Sequence, residues 1–375
     1  MTKVPLELSD YIIDFLHQDA STLSACSLVC RTWTAAARYH LFRTVLLQNE
    51  AYTASFHRLL AASPELGSYV RDLTVAKLTS PADIFRLIKV PVPTDAIPRP
   101  GVFAHVPHIR SLTLAHTDLK CVPDLKAFHH PTLSELSLSY CQFTDFADVV
   151  DLANAFPHLA SLSLAGLTWT HEERAPAVRP LPGLAHLALG RECDSGALFE
   201  WLAAAGVHTS LARLAVRCAS EADTDLVGPF LKLAGPALRA LALDWSFTGD
   251  KSITLPESVS LASCTALARL SLEFPVHYST ALPWVGALLS TLDDAAAPAL
   301  RTLALDVRLL GHVDGLGWAA LNAALAAPPC AALEEVCVGV SLWPGVHRDL
   351  AEVEGVVRER LAPFAKRGAV RFAKI

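Results

Sequence analysis

Short apolar segments recur along most of the chain. "IRSLTL" begins at Ile109, "LSELSL" at Leu133, "LASLSL" at Leu159, "LAHLAL" at Leu184 and "LARLAV" at Leu211. "LRALAL" follows at Leu238, "LARLSL" at Leu267, "LRTLAL" at Leu300 and "LEEVCV" at Leu333, and "VRDLTV" at Val70 is an earlier member. All share the spacing apolar-x-x-apolar-x-apolar, and successive starts from Ile109 lie 24, 26, 25, 27, 27, 29, 33 and 33 residues apart. The last two apolar positions of each motif alternate, which predicts a strand with one buried face. Helical periodicity fills the gaps, as in residues 145–156, 196–206 and 225–235. One strand and one helix cannot bury a core alone, but a stack of such units can.

Two segments interrupt this rhythm. Residues 76–107 carry six prolines, which predicts one short helix ("PADIFRLIK") and an irregular loop. Residues 171–182 predict a proline-broken loop in place of a helix. At the far end, Leu350, Val353, Val357, Leu361 and Phe364 share one helix face. A final strand, "AVRFAKI", follows and caps the end of the stack.

Residues 4–45 have a different texture. Pro5 suits the first turn of a helix, with Leu8, Ile12 and Leu16 at i, i+4 and i+8. Leu6, Ile13 and Phe15 add a second apolar surface. Ser21 is the expected N-cap of a second helix carrying Leu23, Cys26, Leu28 and Val29. A third helix runs from about Arg31 through Trp33 and Ala37 towards Leu41 and Phe42. Cys26 and Cys30 are expected to share a helix face as buried thiols, and Cys30 to pack between the second and third helices. Three helices in some 40 residues cannot bury this much apolar surface by themselves, which points to a surface meant for a partner.

The repeated motif resembles that of leucine-rich-repeat proteins over roughly residues 70–372. The resemblance implies a solenoid with parallel strands on the concave face and helices on the convex face. In that family an asparagine or cysteine stands eight residues after the motif start and hydrogen-bonds loop backbone. Here that position holds Thr117, Cys141, Ser246 and Ser341 in four repeats, but Leu167, Glu192, Ala219, Pro275 and Arg308 in others. The N-terminal stretch, with "VPLELSDYIIDFL" followed by "LVCRTW" and "LF", resembles an F-box. Val4 departs from the leucine usual there. The expected organisation is α/β: an F-box over 1–46, then a linker helix, first repeat and proline-rich loop over 47–107. Leucine-rich repeats follow over 108–343, and a capping helix and strand over 344–375.

What the F-box resemblance implies is docking onto the Skp adaptor of a cullin–RING ubiquitin ligase through Val4, Pro5, Leu8, Ile12, Leu16, Leu28, Val29 and Trp33. The chain would then be a non-catalytic substrate receptor. The alternative is a scaffold that holds the adaptor without ligase assembly. A blander alternative makes the same residues the internal core of a three-helix cap.

Composition narrows the function classes. The 375 residues are 52% hydrophobic with mean hydropathy +0.35, which suits a large ordered core. A net charge of −6 argues against a nucleic-acid binder. Nine scattered cysteines do not read as a secreted disulfide scaffold, and no signal peptide or membrane-length apolar run is visible. A cytoplasmic or nuclear protein is therefore expected. "HEERA" lacks the second histidine of a zinc protease motif, and no phosphate-binding loop or nucleophile elbow is present. His129-His130 reads as a solvated turn. No cofactor or metal is expected, and catalysis by this chain is not; a receptor would contribute proximity.

The repeat register assigns the partner-binding face. Positions two, four and six after each start point away from the core. The middle row, Thr74, Thr113, Ser137, Ser163, Ala188, Ala215, Ala242, Ser271, Ala304 and Cys337, is uniformly small. Flanking it, Arg213, Arg217, Asp244, Trp245, Arg269, Glu273, Phe274, Asp306 and Arg308 form the expected substrate surface with Ala215 and Ala242. Either these residues meet a protein partner or their charges pair with one another across strands.

Overall fold

Two apolar residues separated by one polar residue can share a face only in an extended chain, and each motif forms a short strand on that account. The structure, a computed structural model, describes residues 6–77, 102–120, 129–171, 178–218, 221–245, 259–276, 283–292, 300–313, 317–343, 345–366 and 368–374. The helix expected at 81–89, most of the proline-rich loop, Val4, Pro5, Ala219, Ser246 and residues 172–177 lie outside them. The chain divides into two compact units, Met1–Arg179 and Pro180–Ile375.

The first unit opens with three helices, α1 (Leu6–Asp14), α2 (Ala20–Cys26) and α3 (Arg31–Arg43). Strand β1 (Thr44–Leu47) follows α3 directly, and α4 (Glu50–Ala62) comes next. The repeat strands are β2 (Asp72–Ala76), β3 (Ser111–Ala115), β4 (Glu135–Ser139) and β6 (Ser161–Ala165). All pair in parallel in the order β1-β2-β3-β4-β6. Register is strict: Leu73, Leu112, Leu136 and Leu162 form one buried row, and Val75, Leu114, Leu138 and Leu164 the next. A one-residue slip would turn every one of these leucines to solvent. Strands β5 (Gln142–Asp145) and β7 (Thr168–His171) form a separate two-stranded parallel sheet.

The first unit ends its strands in a common way. Lys77, His116, Tyr140 and Gly166, each seven residues after its motif start, have φ between 50° and 60°. A left-handed residue turns the chain out of the strand. Beyond it, the Thr117 hydroxyl donates to the Ala115 carbonyl at 3.1 Å and the Cys141 thiol to the Leu114 carbonyl at 3.3 Å. In these two repeats the position eight after the start ties down backbone at the end of strand β3, not loop backbone.

The second unit repeats the scheme, with longer strands in the middle of its run. Its strands are β8 (His186–Leu189), β9 (Arg213–Cys218), β10 (Ala240–Trp245), β11 (Arg269–Val276), β12 (Thr302–Leu309), β13 (Glu335–Leu342) and β14 (Val370–Lys374), all parallel in chain order. In β9 to β13, position seven after the motif start stays in the strand and is buried: Cys218, Trp245, Phe274, Val307 and Val340. Pro275, Arg308 and Ser341 lie within strands for the same reason. The polar ladder is interrupted there because the turn it would support comes later.

Helices Ser195–Ala204, Glu221–Ala234, Pro283–Ser290 and Trp318–Leu325 bury Leu198, Phe230, Trp284 and Leu321 on one side of the sheet. The terminal helix, Leu350–Arg360, buries Val353 and Val357, and β14 pairs with β13 to close the edge. The mixed α/β architecture, strand then helix with parallel neighbours, is leucine-rich-repeat-like. The opposite face of the sheet carries no helix among the described residues.

Candidate interaction surfaces

The N-terminal helices enclose a small core of Ile13, Leu23, Cys26 and Ala37, against which Leu16, Trp33, Ala36 and Leu41 pack. Asp19, not Ser21, caps α2, its carboxylate accepting from the Thr22 N–H at 2.9 Å. Cys30 adopts an extended backbone and stands as N-cap of α3. Cys26 and Cys30 therefore do not share a helix, and Cys30 is exposed, not packed between helices. The Thr32 hydroxyl and the Trp33 N–H hold the Cys30 thiol below its ordinary pKa.

With Ile13 turned inward, Leu8, Tyr11 and Ile12 of α1, and Phe15 just after it, face out. All four are at least half exposed, and Tyr11 meets Phe15 edge to face at 4.8 Å. Leu28 is 85% exposed and Val29 63%. The turn presenting them is pinned by the Thr34 hydroxyl near the Ser27 and Cys30 carbonyls, at 2.7 and 2.9 Å. Of the residues expected to dock an adaptor, Leu8, Ile12, Leu28 and Val29 are thus open to solvent. Leu16 and Trp33 are half-buried in the module's own core.

A groove of about 580 Å³ lies between α1 and α3, lined by Asp10, Asp14, Arg31, Tyr39 and His40 among others. The His40 Nε2 sits 2.8 Å from Asp14 Oδ1 on its wall. The apolar periodicity of α1 gave no signal for this groove, because its lining comes from two helices and 26 residues separate the pair.

In the second unit, the middle-row residues Ala188, Ala215, Ala242, Ser271, Ala304 and Cys337 are direct cross-strand neighbours. Each is partly exposed on the helix-free face. Two residues expected beside them are not there. Trp245 is 1% exposed and Phe274 0%, and both pack against Trp284, with ring centroids 4.9 and 5.2 Å apart. Each stands an odd number of residues after the motif start, so strand alternation sends it to the helix side once the strand is long enough to include it.

The charged residues do meet on the open face. Asp244, 7% exposed, is bound by the Arg217 guanidinium and lies 3.3 Å from Arg308 and 3.9 Å from Arg191. Glu273 pairs with Arg308 at 2.8 Å and with Arg217 at 3.6 Å. Arg308 thus reaches from β12 across β11 to β10. Asp306 lies beside Glu273 in register; burial, then the Glu273 charge, raise its pKa. Arg213 and Arg269 are exposed, and neither guanidinium makes an ion pair among the described residues. Cross-strand pairing therefore accounts for Arg217, Asp244, Glu273 and Arg308, and leaves Arg213 and Arg269 over.

His129 and His130 are not a solvated turn. His130 is buried with Nε2 3.0 Å from the Val106 carbonyl, and burial lowers its pKa. His129 Nδ1 lies 2.7 Å from the Ala155 carbonyl. Both tie loops to backbone. Among the described residues, no three His, Cys, Asp or Glu side chains gather closely enough to hold a metal. No described helix is long and apolar enough to cross a membrane.

No family model matches the sequence, and no curated protein matches it. Among solved structures the chain is similar to one in the crystal structure of the mouse RP105/MD-1 complex, at 14% identity and a TM-score of 0.30. The match covers 74% of this chain and 48% of that one, so this chain spans about half its length. The architecture above rests on the topology of this chain alone.

Proposed function

We propose that this protein is a non-catalytic substrate receptor of a cullin–RING ubiquitin ligase. In this reading the N-terminal helices dock on the Skp adaptor and the open face of the repeat strands binds a protein substrate. The observation that carries the reading is the exposure of Leu8, Ile12, Leu28 and Val29 on a three-helix module whose sequence follows the F-box pattern. A cap whose apolar residues served its own core would bury them. Here Ile13, Leu23, Cys26 and Ala37 do that work, and a second apolar set is left outside. Burying a side chain such as Leu28 against a partner would contribute about 1.5–3 kcal/mol.

Val4 and Pro5 complete the proposed adaptor surface. Leu16 and Trp33 belong to it through their outer edges, while their inner faces support the module. The chain supplies proximity in this scheme, raising the effective concentration of a substrate beside enzymes held by the adaptor. The setting would be cytoplasmic or nuclear. Affinity capture of the full chain tests the proposal: adaptor and cullin should be recovered together. Recovery of adaptor without cullin would instead make the chain a scaffold, and recovery of neither would overturn both.

A further inference from the structure

Arg213 and Arg269 stand two strands apart on the open face, on either side of Ala240 in strict register. Adjacent strands are about 4.8 Å apart, so the two backbones are separated by roughly 9.6 Å. Between them only a methyl group rises from the sheet. Next to this row run Ala215, Ala242 and Ser271, all short. Beyond them stands the row Arg217, Asp244 and Glu273. Short side chains therefore lie between two rows of long ones, across the strands.

Among the described residues, the ion network takes up Arg191, Arg217 and Arg308 with Asp244 and Glu273, and Arg213 and Arg269 stand outside it. These two arginines sit on a chain of net charge −6. Exposed guanidiniums with no carboxylate partner among the described residues, on a negatively charged protein, suit an anionic partner, and their planar forks match carboxylates well.

We propose that the open face of the second unit binds an extended acidic peptide segment laid across β9, β10 and β11, with two carboxylates three residues apart seated on Arg213 and Arg269. The spacing follows from geometry. An extended left-handed helix of the polyproline type rises about 3.1 Å per residue with three residues per turn. Residues i and i+3 then share a face about 9.3 Å apart, close to the separation of the two arginine strands. The inference rests on the reading of this face as the partner-binding surface, and names the class of partner.

The test is a peptide array probed with the full-length chain. Pairs of glutamates are placed at every spacing from one to five in a proline- and alanine-rich background, with glutamine replicas. Wild type should retain the i, i+3 glutamate peptides at least tenfold better than their glutamine replicas. Retention should fall as salt rises. Arg213→Ala/Arg269→Ala should lose that preference with an unchanged melting temperature. Arg371→Ala, on β14 and paired with Glu335, should keep it. Absence of a spacing preference, equal retention of the glutamine peptides, or full retention by the double variant would overturn the proposal. Adaptor capture is measured in parallel: its loss with peptide binding intact would sink the ligase reading and leave this one standing.

Discussion

Replacing Asp244 by alanine should destabilise the second unit, although the residue lies on the face that carries no helix. The carboxylate is nearly inaccessible and faces three guanidiniums. Removing one member of a fully buried ion pair costs about 3–5 kcal/mol, because the partner charge stays buried. Here the arginines are 28–46% exposed, so water screens part of the loss. We therefore expect about 2 kcal/mol. At ~2–4 °C per kcal/mol for a unit of this size, the melting temperature should fall by about 4–8 °C. Glu273→Ala, removing a carboxylate that is one third exposed, should shift it by about half as much or less. Differential scanning calorimetry at low and high salt reads both, and high salt should shrink the Glu273 effect more than the Asp244 effect. A shift below about 1 °C for Asp244→Ala, or a rise, would show that the network does not hold the open face together.

Three further outcomes follow from the same structure. Trp245→Ala should cost about 3–5 kcal/mol as a core truncation, whereas Ala242→Arg, on the open face, should stay within about 0.5 kcal/mol in chemical denaturation; the reverse ranking would put the register off by one. Gly67→Ala should destabilise the first unit by ~3 kcal/mol or more in urea, because its Cβ would stand 1.7 Å from the His105 carbonyl oxygen, which is backbone and cannot swing away. In a Cys121→Ser background, Cys30 should be the first thiol alkylated at pH 8, ahead of Cys193 and Cys337. Burial pushes Cys218 up to about 12 from an ordinary 9, so it should react only on unfolding. The stability that this buried thiol favours is complete below pH 9 and should be lost as pH rises towards 12.

The strand register was legible because a period of two is unambiguous wherever one face is apolar. Leu241 and Leu243 mark the core and Ala242 the open face with no structural input. Strand length was not legible. Trp245 and Phe274 look like flanking residues until the strand is known to run past them. Strand β1 was hidden because "TVLL" follows α3 without a turn or a proline. In the N-terminal module, "LVCRTW" marks apolar and aromatic residues but not which of them face inward. The extended backbone at Cys30 separates α2 from α3, and this turns Leu28 and Val29 outward while Trp33 folds back on the core. His130 was misread because Pro131 suggested an exposed turn, and only tertiary packing brings the Val106 carbonyl to it. The ion network was partly visible, since Arg217, Asp244 and Glu273 share one register row. Arg191 and the reach of Arg308 were not.

Trp33→Ala is an ambiguous probe of adaptor docking, because Trp33 packs on Ile13, Leu23, Cys26 and Ala37 and its loss would loosen the module. Leu28 is the cleaner one, since almost all of its side chain is open to solvent. The measurement that tests the central claim is the affinity of the full chain for purified Skp adaptor, wild type against Leu28→Asp, by isothermal titration. Loss of about 1.5–3 kcal/mol of burial corresponds to a weakening of roughly ten- to a hundredfold. The account predicts that weakening with an unchanged melting temperature. Binding by Leu28→Asp as tight as wild type, or no measurable binding by wild type, would contradict it.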